Sequence, residues 1–315
     1  MAVDIQKLIT SLRTKREAEN LSIRALGKKI GVSFSTLARI ERGEGEPDNN
    51  SIIRILHWLG PEPGDAGLSF DNVALVHFRA QKNVSSKTVR LLLHAANSVK
   101  QDRHLRSQSS NLKTQPRGDE IESVRPLRLS KSDMEEIAKA FRKSLNLEAS
   151  APLDALKVRI RGVESIGIDA IDCLDEQDRN YLIGAASSEW SAMSIPIDID
   201  EEEWVILRNR AHPEVRQRVT YLEECWHIML GHRLTKIAKI SDAYGRTFED
   251  TEEDEAYYLA AASLLPQDSV KNAVKKKIPA AELAEKYGVS EQLVEYRIKR
   301  LGLWADYKGR TVSLG

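Results

Sequence analysis

The stretch Leu26–Gly43, LGKKIGVSFSTLARIERG, decides the fold of the N-terminal part of the chain. Ser22 precedes one run of helical apolar spacing and Ser33 precedes a second, and a serine in this place accepts a hydrogen bond from the first turn of a helix. Gly31 lies between the runs, and Gly43 follows the second, where glycine suits a left-handed turn. The pattern therefore predicts two short helices joined by a tight turn, which is a helix-turn-helix.

With the P-D that follows and the closing IIRILHWLG, this segment resembles the XRE family of DNA-binding domains over residues 4–60. In such domains the second helix lies in the major groove, and one domain covers a half-site, so the resemblance implies a homodimer on double-stranded DNA. It implies base contacts from Phe34, Ser35 and Arg39, with Ser33 and Thr36 near the backbone. The implied phosphate contacts are Arg24, Lys28 and Arg42.

Composition and charge agree with a DNA-binding N-terminal part. The 315 residues, 41% of them hydrophobic, suffice for two or three compact domains. Residues 1–118 hold 19 Lys and Arg against 11 Asp and Glu, whereas residues 119–315 hold 28 against 36. No run approaches the ~18 apolar residues of a membrane helix, and the two cysteines indicate reduced thiols. We therefore expect a cytoplasmic protein with no membrane partner.

The middle of the chain is predicted to be helical and then flexible. Helical spacing between residues 73 and 96 predicts a helix pair whose second member is capped by Ser85 or Ser86, so residues 61–100 are assigned to a helical extension. Residues 101–128 lack apolar periodicity and are rich in Ser, Gln and Arg, which is typical of a flexible linker.

A mixed pattern follows the linker. Residues 130–145 read as a capped amphipathic helix. Four short runs then have the β-type composition of a small sheet beside helices. These predicted strands are residues 158–163, 181–187, 190–197 and 203–209.

Residues 222–232, LEECWHIMLGH, have the spacing of a zinc-protease helix, whose pattern is H-E-x-x-H. At about 100° per residue, Glu223, Glu224 and His227 share one face of a helix. A metallopeptidase needs two ligands one turn apart and, between them, a carboxylate that takes a proton from water. Glu223 and His227 are thus candidate ligands, and Glu224 is the candidate general base. His232 lies about 140° from His227 on an unbroken helix, which makes it a poor ligand partner.

Residues 130–300 resemble the ImmA/IrrE family of metallopeptidases. The similarity lies in WSAMS at 190–194, in the N-R before the zinc helix, and in an acidic run leading to a helix that ends at Pro266. The resemblance implies Glu253 as the third ligand and one divalent metal, zinc or manganese. It departs from the family at Glu223, which replaces a histidine, and at Trp226, where a small residue is usual.

Three interpretations of this site remain open. A metal bound by two glutamates and a histidine supports hydrolysis, or the fold persists as a sensing module without hydrolysis and with or without a metal. Alternatively, Glu223 and Glu224 are only charges on a solvated face, and His227 is an ordinary core histidine. Replacing imidazole by carboxylate shifts preference toward harder ions and leaves bound water less acidic.

The C-terminal segment LAEKYGVSEQLVEYRIKRLG repeats the pattern of the first helix-turn-helix. We interpret it as mainly structural, with Arg297, Lys299 and Arg300 as the residues that would touch DNA otherwise.

The predicted fold is α+β and mostly helical. It comprises an all-α helix-turn-helix domain, a flexible linker and a zincin-like α+β domain ending in a helix-turn-helix-like segment. The predicted divisions are residues 1–60, 61–100, 101–128, 129–270 and 271–315. The predicted function is a DNA-binding transcriptional regulator with a metallopeptidase-like sensing or processing domain. The alternative is an active metal-dependent endopeptidase that cleaves an XRE-type repressor or itself in a stress or phage response.

Overall fold

A computed structural model describes residues 4–60, 71–80, 84–108, 129–199, 201–240, 243–246 and 250–308. Within these ranges no helix is both long and apolar enough to cross a bilayer. The chain forms two compact units, each built from separate segments. The first unit comprises Met1–Arg117, Ser165–Asn209 and Arg233–Glu252, and the second comprises Gly118–Glu164, Arg210–His232 and Glu253–Gly315.

The first unit contains helices and a sheet. Its helices are α1 (Ile5–Ala18), α2 (Ile23–Ile30), α3 (Phe34–Arg42), α4 (Asn49–Leu59), α5 (Ser86–Gln108) and α7 (Glu176–Ile183). Its strands are β1 (Asp71–Ala80), β2 (Val163–Gly167, in this unit from Ser165), β3 (Trp190–Asp198), β4 (Glu203–Arg208), β5 (Thr235–Ile240) and β6 (Ala243–Arg246). The mostly helical α+β class predicted from the sequence is confirmed.

Local capping produces the helix-turn-helix formed by α2 and α3. The Ser22 side chain accepts a hydrogen bond from the Ala25 N–H at 3.1 Å, and Ser33 accepts one from the Thr36 N–H at 3.1 Å. Between the helices Gly31 has a φ of 71°, a left-handed conformation that glycine adopts without steric cost. Both predicted caps and the predicted turn are confirmed.

Close packing of the two helices depends on Gly27. A Cβ at this position would lie 2.7 Å from the Val32 carbonyl oxygen, so a larger residue would push α2 away from the turn into α3. Leu26, Leu37 and Ile53 fill the core of this helical head, and the same cluster contains Ala238 of β5. The head therefore packs directly on the sheet within the first unit.

The six-stranded sheet has the order β2-β4-β3-β1-β5-β6. The pairs β1–β3, β1–β5, β3–β4 and β5–β6 are antiparallel, and His77 of β1 lies opposite Ser194 of β3. Strand β1 is thus an inner strand of the sheet. The two strands β3 and β4 agree with the predicted strands 190–197 and 203–209.

The predicted helix around Val73, Val76 and Phe78 is wrong, because residues 71–80 form β1. Val76 and Phe78 are both buried in the core at alternate positions, while the intervening His77 stacks on Trp204 at 5.5 Å between ring centroids. Alternation of faces is the period of a strand. The local apolar spacing of this segment fits both a helix and a strand. Its pairing with β3 and β5 makes it a strand.

Three other boundaries differ from the sequence prediction. Helix α5 continues to Gln108, so the linker does not begin at residue 101, and residues 109–128 lie outside the described part. Residues 181–183 end helix α7 rather than starting a strand, and β2 starts only at Val163. The predicted cap of α5 is Ser85, whose hydroxyl accepts from the Thr88 N–H at 3.3 Å.

The described part of the second unit consists mainly of helices. Its helices are α6 (Lys131–Ser144), α8 (Glu214–Met229), α9 (Asp250–Leu264, in this unit from Glu253), α10 (Gln267–Lys275), α11 (Ala280–Tyr287), α12 (Glu291–Arg300) and α13 (Trp304–Lys308). The predicted cap of α6 is confirmed, because Ser130 and Asp133 form a reciprocal capping box.

A buried ion pair ties three helices of the second unit together. The Arg297 guanidinium of α12 donates to both carboxylate oxygens of Glu135 on α6, at 2.7 and 3.0 Å, and is fully buried. The Tyr258 hydroxyl of α9 also donates to Glu135, at 2.5 Å, and burial with this bond raises the pKa of Tyr258. Arg297 is therefore a structural residue and cannot reach DNA. Lys299 is paired with Glu295 at 3.2 Å.

Candidate metal centre and nucleic-acid interface

Helix α8 passes through the interior of the second unit. Every residue from Thr220 to His227 is buried, and Glu223 and Glu224 are each 1% exposed. Buried carboxylates are costly unless they meet cations or hydrogen-bond donors, so this burial contradicts the reading of the two glutamates as charges on a solvated face. The helix brings both carboxylates and the His227 imidazole into one enclosed region.

Glu223 and His227 meet Glu253 of α9. One ligand atom from each of the three side chains lies within 4.8 Å of the other two. Two ligands of one tetrahedral zinc, each about 2.1 Å from the ion, lie about 3.4 Å apart, so small side-chain rotations would let the three close on a single ion. The donor set of two carboxylates and one imidazole fits a divalent metal.

The three carboxylates nearest to Glu253 in the acidic run each lie in a different environment. Glu252 accepts hydrogen bonds from the Arg233 backbone N–H and side chain, both at 3.0 Å. Asp254 is exposed, and Glu255 is buried beside His232. Of the four, Glu253 is the carboxylate that the structure groups with the two side chains of α8.

The bulky Trp226 is accommodated on the core side of α8. Its indole N–H donates to the Ser263 hydroxyl of α9 at 3.3 Å, and its ring lies 5.0 Å from the Phe141 ring of α6. The residue that departs most in size from the family pattern therefore contributes to packing among three helices.

The contact between His227 and His232 was not predicted from the sequence. The Nδ1 atoms of His227 and His232 are 3.0 Å apart, although the two residues would diverge on a continuous helix. Helix α8 ends at Met229, and Gly231 turns the chain with a φ of 60°. A glycine after the last helical residue is a helix-stop signal, which could have indicated this return.

The recognition-helix residues form an exposed end of α3. Phe34 is 50% exposed, and Ser33, Ser35 and Arg39 are also exposed. The Thr36 hydroxyl is 2.7 Å from that of Ser33, so these two groups stabilise the helix start. The Ser35 hydroxyl also lies 3.0 Å from that of Ser33, whereas Phe34 and Arg39 are exposed on α3.

The three predicted phosphate contacts differ in their surroundings. Arg24 and Lys28 are exposed on α2, and the Arg24 guanidinium lies 5.4 Å from the centre of the Phe34 ring. Arg42 donates to both oxygens of Glu44, at 2.7 and 2.8 Å, and this bond raises the pKa of Arg42 while it lowers that of Glu44. Arg42 would have to exchange this partner for a phosphate.

The fold and the two candidate sites define a class of protein. It has a helix-turn-helix head and a pair of helices, α8 and α9, that carry the candidate metal ligands. The family model of the helix-turn-helix matches residues 12–60, and that of the IrrE N-terminal-like domain, a peptidase family, matches residues 187–299. The chain therefore joins an XRE-type helix-turn-helix to an ImmA/IrrE-like metallopeptidase domain. Comparison with curated proteins and with solved structures gave no match.

Proposed function

We propose that this protein is a DNA-binding transcriptional regulator whose metallopeptidase-like domain binds one divalent metal ion through Glu223, His227 and Glu253. The observation that carries the metal site is the grouping of these three side chains from two helices within 4.8 Å. The exposed end of α3 supports the DNA-binding role. Of the division made from the sequence, residues 1–60 as the DNA-binding head and residues 271–315 as the C-terminal helical segment belong to the same proposal.

On the DNA side, Phe34 would contact a thymine methyl group, and Arg39 would donate two hydrogen bonds to a guanine. Arg24, Lys28 and Arg42 would neutralise phosphates and set the position of the head. Because one head covers a half-site, the protein would bind as a homodimer to two half-sites about 34 Å apart.

On the metal side, carboxylate ligands make manganese a candidate beside zinc. A divalent ion held here supplies a Lewis acid that polarises a carbonyl group and acidifies water. In the sensing role, binding of the metal by the three ligands would change DNA binding by the head, and no peptide bond would be hydrolysed.

The second candidate is an active endopeptidase acting on an XRE-type repressor or on the chain itself. It is favoured by Glu224, which keeps the general-base position next to Glu223 and is 1% exposed. Its carboxylate would accept the proton of the attacking water and return it to the leaving amine.

Two linked measurements test the proposal. The metal-loaded full chain is incubated with XRE-type repressors beside a Glu224→Gln control, and its affinity for a DNA site selected from a random library is measured with and without metal. The regulator predicts site-specific DNA binding and no cleavage. Cleavage that Glu224→Gln abolishes would establish the endopeptidase instead, and absence of any specific DNA binding would overturn the regulator.

A further inference from the structure

The end of α8 folds back so that His232 reaches His227. The His232 backbone N–H donates to the His227 carbonyl at 3.0 Å, and the Gly231 N–H donates to the Ile228 carbonyl at 3.1 Å. This pair of bonds around a left-handed glycine is a Schellman motif. The motif places the residue after the glycine against the residue four positions before the glycine, which here brings two imidazoles together.

The two rings are linked by a hydrogen bond between like atoms. Nδ1 of His227 and Nδ1 of His232 are 3.0 Å apart, and the rings meet edge to face with centroids 5.0 Å apart. His227 is 6% exposed and His232 is 5% exposed. A neutral imidazole has one donor nitrogen and one acceptor nitrogen, so one Nδ1 must carry a proton and the other must accept it.

Glu255 approaches the other nitrogen of His232. Its Oε2 lies 3.6 Å from Nε2 of His232, and its Oε1 accepts from the Leu129 backbone N–H at 3.0 Å. The carboxylate is buried and held from a second direction. A carboxylate oxygen on this side of the ring favours a proton on Nε2 of His232 and leaves Nδ1 of that ring as the acceptor.

We propose that His232 and Glu255 are positioning residues that hold His227 with its proton on Nδ1 and its lone pair on Nε2, as a metal ligand requires. The inference rests on the metal site proposed above. The nearby Glu255 carboxylate sets the direction: His232 keeps its proton on Nε2, on the side of the carboxylate, and His227 then donates Nδ1–H to His232. Partners of this kind orient ligating histidines and raise their basicity.

The arrangement matters more in this chain than in a zinc helix with two histidines. Glu223 replaces the first imidazole, so His227 is the one nitrogen donor of the three grouped ligands. A histidine with its proton on Nε2 could not ligate through that atom. Fixing this tautomer therefore favours binding of borderline ions such as zinc by a site otherwise made of carboxylates.

The tautomer of His227 is the first test, and it needs no metal. In the metal-free full chain, a two-bond proton–nitrogen correlation spectrum distinguishes Nδ1–H from Nε2–H, and His227→Gln assigns the signal. We expect the Nδ1–H form of His227 and the Nε2–H form of His232. The Nε2–H form of His227 would overturn the proposal.

Zinc affinity, measured by competition with a chelating dye, is the second test. His232→Phe keeps an aromatic ring in the motif but removes the acceptor, and we expect a loss of about 10–100-fold. His232→Gln keeps an acceptor oxygen and should recover part of that loss. An affinity of folded His232→Phe within about twofold of the wild type would contradict the proposal, on the scale of measured outer-shell effects.

A third variant covers the case in which His232→Phe does not fold. Glu255→Gln keeps the size of the side chain while it removes the charge, and we expect weaker zinc binding and a growing Nε2–H fraction at His227. Unchanged affinity together with an unchanged tautomer would overturn the proposal. If the wild type binds no metal, the proposed function fails, whereas the tautomer measurement still decides the positioning role.

Discussion

Glu223 gives the candidate metal site a charge that a two-histidine zinc helix lacks. Together with Glu253 it supplies two carboxylates, which can balance the charge of a divalent ion while His227 supplies a neutral nitrogen. Oxygen-rich donor sets favour harder ions, and two anionic ligands leave bound water less acidic than imidazole ligands do. A carboxylate at position 223 of the proposed site would therefore favour metal binding over hydrolysis.

We predict that Glu223→His raises the preference for zinc over manganese by at least about tenfold, since even outer-shell changes alter metal affinity 10–100-fold. The physical reason is that imidazole suits zinc better than manganese. Dissociation constants for both ions, measured by titration of the full chain, check this outcome. A preference unchanged from the wild type would show that position 223 does not ligate.

At the DNA-binding surface, we predict that Arg39→Ala weakens binding to the selected site by about 1–3 kcal/mol and relaxes its base preference. Lys28→Ala is the matched control, because loss of a phosphate contact should weaken all sequences alike and lower the salt slope by about one. Fluorescence anisotropy with the selected site and with single-base variants measures both effects. Equal affinity and equal base ranking in Arg39→Ala would remove that residue from the reading face.

Among the elements of the second unit, α6, α9 and α12 depend on one buried pair. Arg297 is fully buried and Glu135 is 8% exposed, and Tyr258 adds a third hydrogen bond. A buried pair can contribute little net stability compared with apolar residues, yet removal of one partner leaves an uncompensated charge. Removal of one partner and replacement of both partners should therefore have different effects on stability.

We predict that Arg297→Ala destabilises the second unit by about 3–5 kcal/mol, whereas the double variant Arg297→Met, Glu135→Leu loses much less. Hydrogen exchange of peptides from α9 and α12, followed by mass spectrometry in the full chain, measures the change locally. Equal exchange in the two variants would contradict this prediction. It would mean that the loss of stability comes from the lost packing of the Arg297 side chain and not from the unpaired charge of Glu135.

In the first unit, α4 carries a histidine that packing keeps neutral. Burial, and to a lesser extent the positive charges of Lys236 and Arg233, lower the pKa of His57 from its ordinary value of 6.5 to about 4. The unfolded chain binds a proton at His57 more readily than the folded chain does. The contribution of neutral His57 to the free energy of unfolding should therefore be fully present above about pH 6.5. It should fall by up to about 1.4 kcal/mol per pH unit as the pH drops toward 4.

Two measurements check this pH dependence. The ring resonances of His57, assigned with His57→Gln, should stay in the neutral position until the pH approaches 4. His57→Gln should also flatten the decline in stability of the first unit between these pH values. A measured His57 pKa near 6.5 would contradict the packing of α4 beside β5.

Across the whole molecule, local signals predicted local structure well. The caps Ser22 and Ser33 and the turn at Gly31 depend only on neighbouring residues, so the helix-turn-helix could be derived from its own sequence. The spacing of Glu223 and His227 likewise follows from one helix. These features needed no information from distant parts of the chain.

Features that depend on distant partners were not predicted. Residues 71–80 became an inner strand because β3 and β5 pair with them, and those segments lie far along the chain. The head packs on Ala238 of β5, which the division into separate sequence domains did not anticipate. The contact between His227 and His232 required the chain to leave the helix and return.

The most direct test of the proposed metal centre is the metal content of the full chain. After loading with zinc or manganese and removal of excess ion, elemental analysis compares the wild type with Glu253→Gln and with Asp254→Asn, an exposed neighbour that serves as the matched control. We predict one equivalent in the wild type and in Asp254→Asn, and little in Glu253→Gln. A wild type without metal, or a Glu253→Gln variant that retains a full equivalent, would contradict a site built from Glu223, His227 and Glu253.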